Sequence, residues 1–258
     1  MEEEYLAAIL SLHAAWLDKR PEGQRAVISK ADLTGVMLRE AVLRKSSIKR
    51  SVLFDATLEK ADLYAATIRK CDLGRANLRH AVLAKAHLAD STLTEAHLDE
   101  ADLFAAELEK VKAQSCHAHH AIFSEAEIAR TDFGFSDMSR CLFHKASLAE
   151  ASFTDCNLLE ASFASADILS TDFRISQIKY ATFQEADLVA CTFRNAVLED
   201  VNFIGCDMAQ TDFGGARLTG CVFDDSSLVA VKFRGTTMKD CSFEDVEAVR
   251  MEKVWETP

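Results

Sequence analysis

From Ile28 to Phe243 every fifth residue is large and apolar: of 44 such positions, 42 are Leu, Phe, Ile or Met, and the exceptions are Ala113 and Ala118. No insertion shifts the phase. Two residues before each large position stands a small one, drawn from Ala, Ser, Thr, Val and Cys, as at Ala31, Ala61, Cys141, Ala151, Thr211 and Cys241. A period of five fits neither the 3.6 of a helix nor the strict alternation of a strand. Each unit must therefore present one small and one large side chain inward and then turn a corner. Four such units close a coil of 20 residues, so the pattern predicts an all-β solenoid, a quadrilateral β-helix of about 11 coils. At one strand spacing of ~4.8 Å per coil it would be a rod on the order of 50 Å long.

The filling of the coil divides the chain. Residues 24–110 carry only Leu and Ile in the large column, whereas residues 121–247 alternate Phe, from Phe123 to Phe243, with Leu, Ile or Met. This period of ten places Phe ladders on two opposite faces and aliphatic ladders on the other two. Between the segments, residues 111–120 hold both alanines, and an irregular coil or bend is expected there. Ahead of the repeats, residues 1–23 read as an amphipathic capping helix, with Tyr5, Leu6, Ile9, Leu10, His13, Trp16 and Leu17 at helical spacing before the Pro21-Glu22-Gly23 break. Behind them, residues 248–258 form a short C-terminal cap whose Val249, Met251, Val254 and Trp255 would seal the open end or pair with a second molecule.

The units Ala31-Asp32-Leu33, Ala61-Asp62-Leu63, Ala76-Asn77-Leu78, Ala101-Asp102-Leu103 and Ala186-Asp187-Leu188 carry a further signature. They resemble the pentapeptide-repeat family, whose pattern is Ala-Asp/Asn-Leu-x-x, over about residues 26–247. The resemblance implies a right-handed quadrilateral β-helix and a binding or scaffolding role without catalysis. The uninterrupted Leu-then-Phe style is similar to pentapeptide segments attached to type VI secretion components, which implies a bacterial secretion accessory. Some members, the quinolone-resistance proteins, resemble B-DNA and bind DNA gyrase, which implies DNA mimicry toward gyrase or topoisomerase as the alternative.

Composition sharpens this. With 49% hydrophobic and 27% charged residues, the chain is too apolar to be disordered, yet nine Gly and two Pro are too few to turn it so often by the usual means. The N-terminus, Met1-Glu2-Glu3-Glu4, has no basic n-region, and no apolar run reaches the ~18 residues that span a bilayer, so a cytoplasmic protein without membrane contact is expected. All eight cysteines fall in the small slot and read as buried, reduced hydrophobes. There is no nucleophile elbow, phosphate loop, dinucleotide fingerprint or metalloprotease motif, and a filled convex rod offers no pocket, so neither an enzyme nor a cofactor is expected.

Stacking the coils in register assigns the outward residues. His97, His117, His119 and Asp137 fall together, with His80 and His120 beside them, a pattern with metal or pH-sensing chemistry whose plainer reading is a solvated surface. Val42, Tyr64, Val82, Ala84, Phe104, Ala105, Ile122 and Leu142 make another face unusually apolar, which marks a protein interface together with Trp255. Net charge is −12, which argues against direct nucleic-acid binding, and it is lopsided: residues 1–120 hold 18 acids and 17 bases, residues 121–258 hold 23 and 12. Asp167, Asp187 and Asp207 form one acidic column, and Arg44, Lys45, Lys49, Arg50, Arg69 and Lys70 a basic patch on the first coils. The expected partner is another protein held on a rigid face, with a homodimer through the C-terminal cap as a further possibility.

Overall fold

The computed structural model describes residues 2–248 and 255–256. It is a parallel β-solenoid of about 11 turns with one N-terminal helix, α1 (Glu3–Leu17). Every bridge from Val27 to Glu247 joins a residue to the one 20 later, in parallel, as in Val42 with Asp62 and Asp62 with Val82. Numbering faces in chain order, residues 41–45 and their equivalents every twenty residues form the first face, 46–50 the second, 51–55 the third and 56–60 the fourth.

One local grammar produces this. Every fifth residue from Lys30 to Asp245 has a positive φ, between 51 and 71°, and only five of those residues are glycine. Each sits third in a four-residue turn, most of them closed by a bond such as Val36 N–H to the Leu33 carbonyl, 3.1 Å, and a positive φ at that place is what such a corner needs. This is how a chain poor in Gly and Pro turns.

In most units outside the short strands, backbone carbonyls accept the N–H groups of the first, second, third and fifth residues, and a hydroxyl one turn on takes the first N–H in several others, as Ser91 does from Cys71. Where the second residue is an acceptor the fourth N–H goes to its side chain: Thr34 to Asp32 at 3.0 Å, Tyr64 to Asp62 at 3.1 Å, Gly74 to Asp72 at 2.9 Å, Phe104 to Asp102 at 2.9 Å. The Asp or Asn of the repeat is thus an acceptor for the one donor the ladder leaves over.

The small slot tolerates hydroxyls and thiols for a related reason. Ser91 donates to the Ile68 carbonyl at 3.0 Å, Thr171 to Leu148 at 2.7 Å, Ser176 to Phe153 at 2.6 Å and Cys206 to Phe183 at 2.9 Å, always to a large-column residue 23 earlier. These four buried groups are therefore satisfied, whereas the hydroxyl of Ser46 in the same slot has no hydrogen-bond partner.

The core is the large column. Phe123 to Phe233 are fully buried, and on the first and third faces their rings stack within a ladder at 4.7–5.3 Å. Between ladders they meet edge to face, as Phe173 meets Phe183 at 5.6 Å and 89°. Both arrangements suit the ring quadrupole. The irregular coil expected at residues 111–120 is not found. Lys112 bridges Thr92 and Asp132, His117 bridges His97 and Asp137, and Ser115 and His120 keep the positive φ. Ala113 and Ala118 are simply buried small residues in an unbroken ladder, because pairing and turn geometry reside in the backbone and not in the size of the filler.

Helix α1 closes the first turn. Leu6, His13 and Ala15 are buried and Ile9 and Leu10 pack on the core, whereas Tyr5, expected on the buried stripe, is 62% exposed. The helix stops in a Schellman arrangement: Lys19 has φ 58°, its N–H bonds Trp16 O at 3.0 Å, and Arg20 N–H bonds Ala15 O at 2.9 Å. Gly23 then lies against the helix so closely that a Cβ would stand 2.3 Å from Trp16 N. His13 Nδ1 accepts the Ala26 N–H at 3.0 Å, tying helix to solenoid. At the other end Trp255–Glu256 pairs in parallel with Thr236–Thr237, a register of 19 in place of 20. The Trp255 side chain and the rest of the expected C-terminal cap, Val249, Met251 and Val254, lie outside the described residues.

Candidate functional site

The first face carries the apolar surface. Its central column runs Val42, Asp62, Val82, Asp102, Ile122 and Leu142 in continuous register. Beside it stand Arg44, Tyr64, Ala84 and Phe104, one per turn. Asp62 and Asp102 interrupt the column, but their carboxylates are engaged with their own turns, so the surface between them is built from Tyr64, Val82, Phe104, Ile122 and Leu142. Val82 and Leu142 are exposed, and Tyr64, Phe104 and Ile122 half-buried. The C-terminal turn of α1 borders its lower end, where Ala14, Leu17 and Asp18 form a recess with Val42, Arg44, Lys45 and Tyr64. There Arg44 lies over the Tyr64 ring at 5.0 Å and pairs with Asp62 at 3.2 Å. Along the adjoining corner Lys45, Lys85 and Lys145 are exposed and make no ion pair among the described residues.

On the fourth face the histidines meet as the register predicts, but in stacks. The His97 and His117 rings lie parallel at 5.0 Å, and His119 meets His120 edge-on at 4.2 Å. His97 Nδ1 faces Arg79 Nη2 at 3.0 Å, and Arg79 Nε donates to Asp99 at 2.9 Å. His119 Nδ1 faces the Ser139 hydroxyl at 2.8 Å, which donates to Asp137 at 2.7 Å. Burial, Arg79 and His117 together hold the His97 pKa below its ordinary value. No group of three His, Cys, Asp or Glu among the described residues could hold a metal ion, because these side chains stack and cap turns and do not converge on a point.

The acidic column is in register as Asp167, Asp187 and Asp207, all exposed on the second face. Asp187 and Asp207 also accept the N–H of Val189 and Ala209, each at 3.1 Å. The basic patch separates into two places. Arg44 and Lys45 belong to the first face beside α1, while Lys49, Arg50, Arg69 and Lys70 line a cleft at the end of the second.

Two further features escape the sequence pattern. Phe135 and Ile175, 65% and 50% exposed, share the corner that ends the third face, and both hold positive φ, 64 and 66°, a strained state for a bulky or β-branched residue. And one cysteine departs from the others. Burial pushes Cys116, Cys156, Cys191 and Cys206 up to about 12. Half-buried Cys241 instead is lowered to about 7 by its interaction with the Cys221 thiol one turn below, while that interaction and burial push Cys221 up. Both occupy the small slot, so the pattern gives them one identity; only the end of the rod separates them.

Two families described as pentapeptide repeats match the sequence, one over residues 178–232 with nine copies and one over 71–109 and 141–174 with eight. The chain belongs to the pentapeptide-repeat family. Solved structures similar to this pentapeptide-repeat protein include HetL, a pentapeptide repeat protein involved in heterocyst differentiation regulation from the cyanobacterium Nostoc sp. strain PCC 7120, at 24% identity over 86% of this chain and 94% of that one, TM-score 0.36. QnrB1, a plasmid-mediated fluoroquinolone resistance protein, is 15% identical over 85% and 94%, TM-score 0.30. A pentapeptide repeat protein of the Arabidopsis thaliana thylakoid lumen is 23% identical over 40% and 68%, TM-score 0.34. No curated protein matches the chain. Among the described residues of this pentapeptide-repeat protein, no helix is long and apolar enough to cross a membrane.

Proposed function

We propose that this pentapeptide-repeat protein is a non-catalytic bacterial scaffold that holds a protein partner on its first face. The observation that carries the reading is the continuous register of Tyr64, Val82, Phe104, Ile122 and Leu142 over five turns, of which only Tyr64 lies in the stretch bordered by α1. An exposed apolar surface of this continuity is more typical of an interface than of solvated surface. Its rim of unpaired Lys45, Lys85 and Lys145 favours a partner with apolar anchors flanked by acids. A photo-crosslinker in place of Phe104 should capture that partner in bacterial cells, and one in place of Lys232 on the third face should not. Equal capture from both positions would refute the assignment of the face.

The acidic second half favours a second reading, mimicry of DNA toward gyrase, through the exposed ladder of Asp167, Asp187 and Asp207. Inhibition of gyrase supercoiling that is lost on replacing the three by Asn would support it. No inhibition would leave the ladder with its turn-capping role alone.

A further inference from the structure

Along the corner that ends the fourth face a cation meets an acid one turn away at several levels. Arg39 pairs with Glu59 at 3.0 Å, Arg79 with Asp99 at 2.9 Å, Arg140 with Glu160 at 2.9 Å and Lys179 with Glu199 at 2.7 Å. The corner that ends the second face breaks this rule over its first three turns. There the successive corner pairs are Ser29-Lys30, Lys49-Arg50 and Arg69-Lys70, held in register by the short parallel strands Val27–Ser29, Ser47–Lys49 and Thr67–Arg69. Lys30 and Arg50, Lys49 and Arg69, and Arg50 and Lys70 are neighbours in adjacent turns, ~4.8 Å along the rod, before the register reaches Ala89 and Asp90. Ser29, Lys49, Arg50, Arg69 and Lys70 line one cleft.

Only Arg69 has an acidic partner, Asp90 at 3.5 Å, with Glu109 the next acid beyond it. Lys30, Lys49, Arg50 and Lys70 make no ion pair among the described residues. In a chain of net charge −12, five stacked cations that share the one acidic partner Asp90 repel one another, and a multivalent anion relieves that repulsion. The two arginines add planar forks suited to phosphate oxygens, and the lysines add point charges around them. The rigid ladder fixes all of them before any ligand arrives, so little side-chain support has to be ordered on binding beyond the tips.

We infer that this cleft is a binding site for a compact anion carrying two or more phosphate groups, as a free polyphosphate or as a phosphorylated lipid headgroup. The site is independent of the first face and of any partner bound there.

Isothermal titration with inorganic tripolyphosphate should show binding to the full chain that weakens at high salt. Arg50→Glu combined with Lys70→Glu should weaken it at least about tenfold, while Arg234→Glu, a single charge reversal on the third face, should leave it nearly unchanged. The substituted side chains project outward, so an unaltered melting temperature would confirm that the variants fold. Capture by phosphatidylcholine vesicles doped with a polyphosphorylated inositol lipid, together with weak tripolyphosphate binding, would assign the anion to a headgroup. Absence of binding to both probes, or equal loss in Arg234→Glu and in the double variant, would overturn the inference. So would a salt-sensitive doubling of mass in solution that the double variant abolishes without any phosphate binding, since the cleft would then serve the acidic half of a second copy.

Discussion

At the scale of single residues, the repeat is a solution to a donor-counting problem. In a unit such as Ala101–Ala105, four backbone N–H groups find carbonyls and the fifth finds the side chain two residues before it, so an Asp or Asn there is worth a hydrogen bond as well as solubility. The left-handed corner is the strained element of the design. Ile175 holds φ 66° at half exposure, and a side chain in that region costs about 1–2 kcal/mol relative to residues that adopt it readily. Ile175→Asn should therefore raise the stability to denaturant by about 1 kcal/mol; an unchanged or lower midpoint would show that the isoleucine contributes packing that offsets its strain. The cysteines divide by the same local logic. Near pH 7 a thiol-alkylating reagent should label Cys241, whose thiolate is populated at about 7, and spare the buried seven in the folded protein. Labelling of the native state that survives Cys241→Ser would contradict that assignment.

At the scale of elements, the helix cap and the phenylalanine ladders behave differently because one is a single contact and the other a repeated one. The cap depends on neutral His13, whose pKa burial and Arg25 hold below the ordinary imidazole value while its Nδ1 accepts the Ala26 N–H. A base with a lowered folded-state pKa is protonated first in the unfolded or detached state, so the cap is fully stabilised above about pH 6.5 and loosens as pH falls below it. Acidification should accordingly change the fluorescence of Trp16, which stacks on His13 at 5.5 Å, and His13→Gln should abolish that change without melting the solenoid. An identical acid transition in the variant would place its cause elsewhere, with His97, whose lowered pKa has the same sign, as the next group to test. In the core, Phe183 touches Phe163 and Phe203 by stacking and Phe173 and Phe193 by their edges. Phe183→Ala should cost about 3–5 kcal/mol, and Phe243→Ala, half-buried at the end of its ladder, markedly less. Equal losses at the two sites would mean that the rod unfolds as one unit and does not fray from its end.

At the scale of the whole molecule, the solenoid was legible because a period of five with a small-large inward pair leaves few other folds, and a register of 20 follows once four units close a turn. The same register places His97 beside His117 from the sequence alone. What it could not supply was the direction of side-chain tips. Stacked imidazoles and converging ones have the same spacing, Arg44 and Lys49 look adjacent until the corner between them is built, and Ala113 suggests a bend only if size is mistaken for backbone. The ends were hardest to read, since Cys241 and Tyr5 take their exposure from where the ladder stops and not from their place in the period. The function rests on a surface, and surfaces follow from register plus what covers them. Here α1 borders only the lower end of the first face, and the turns from Val82 to Leu142 stay open.

Whether this open face holds a partner is decided by affinity capture from a bacterial lysate, using the wild-type chain and a Phe104→Glu, Leu142→Glu variant whose melting temperature matches it. A protein captured by the wild type and absent from the variant is the predicted result; the same protein recovered equally by both would contradict the claim.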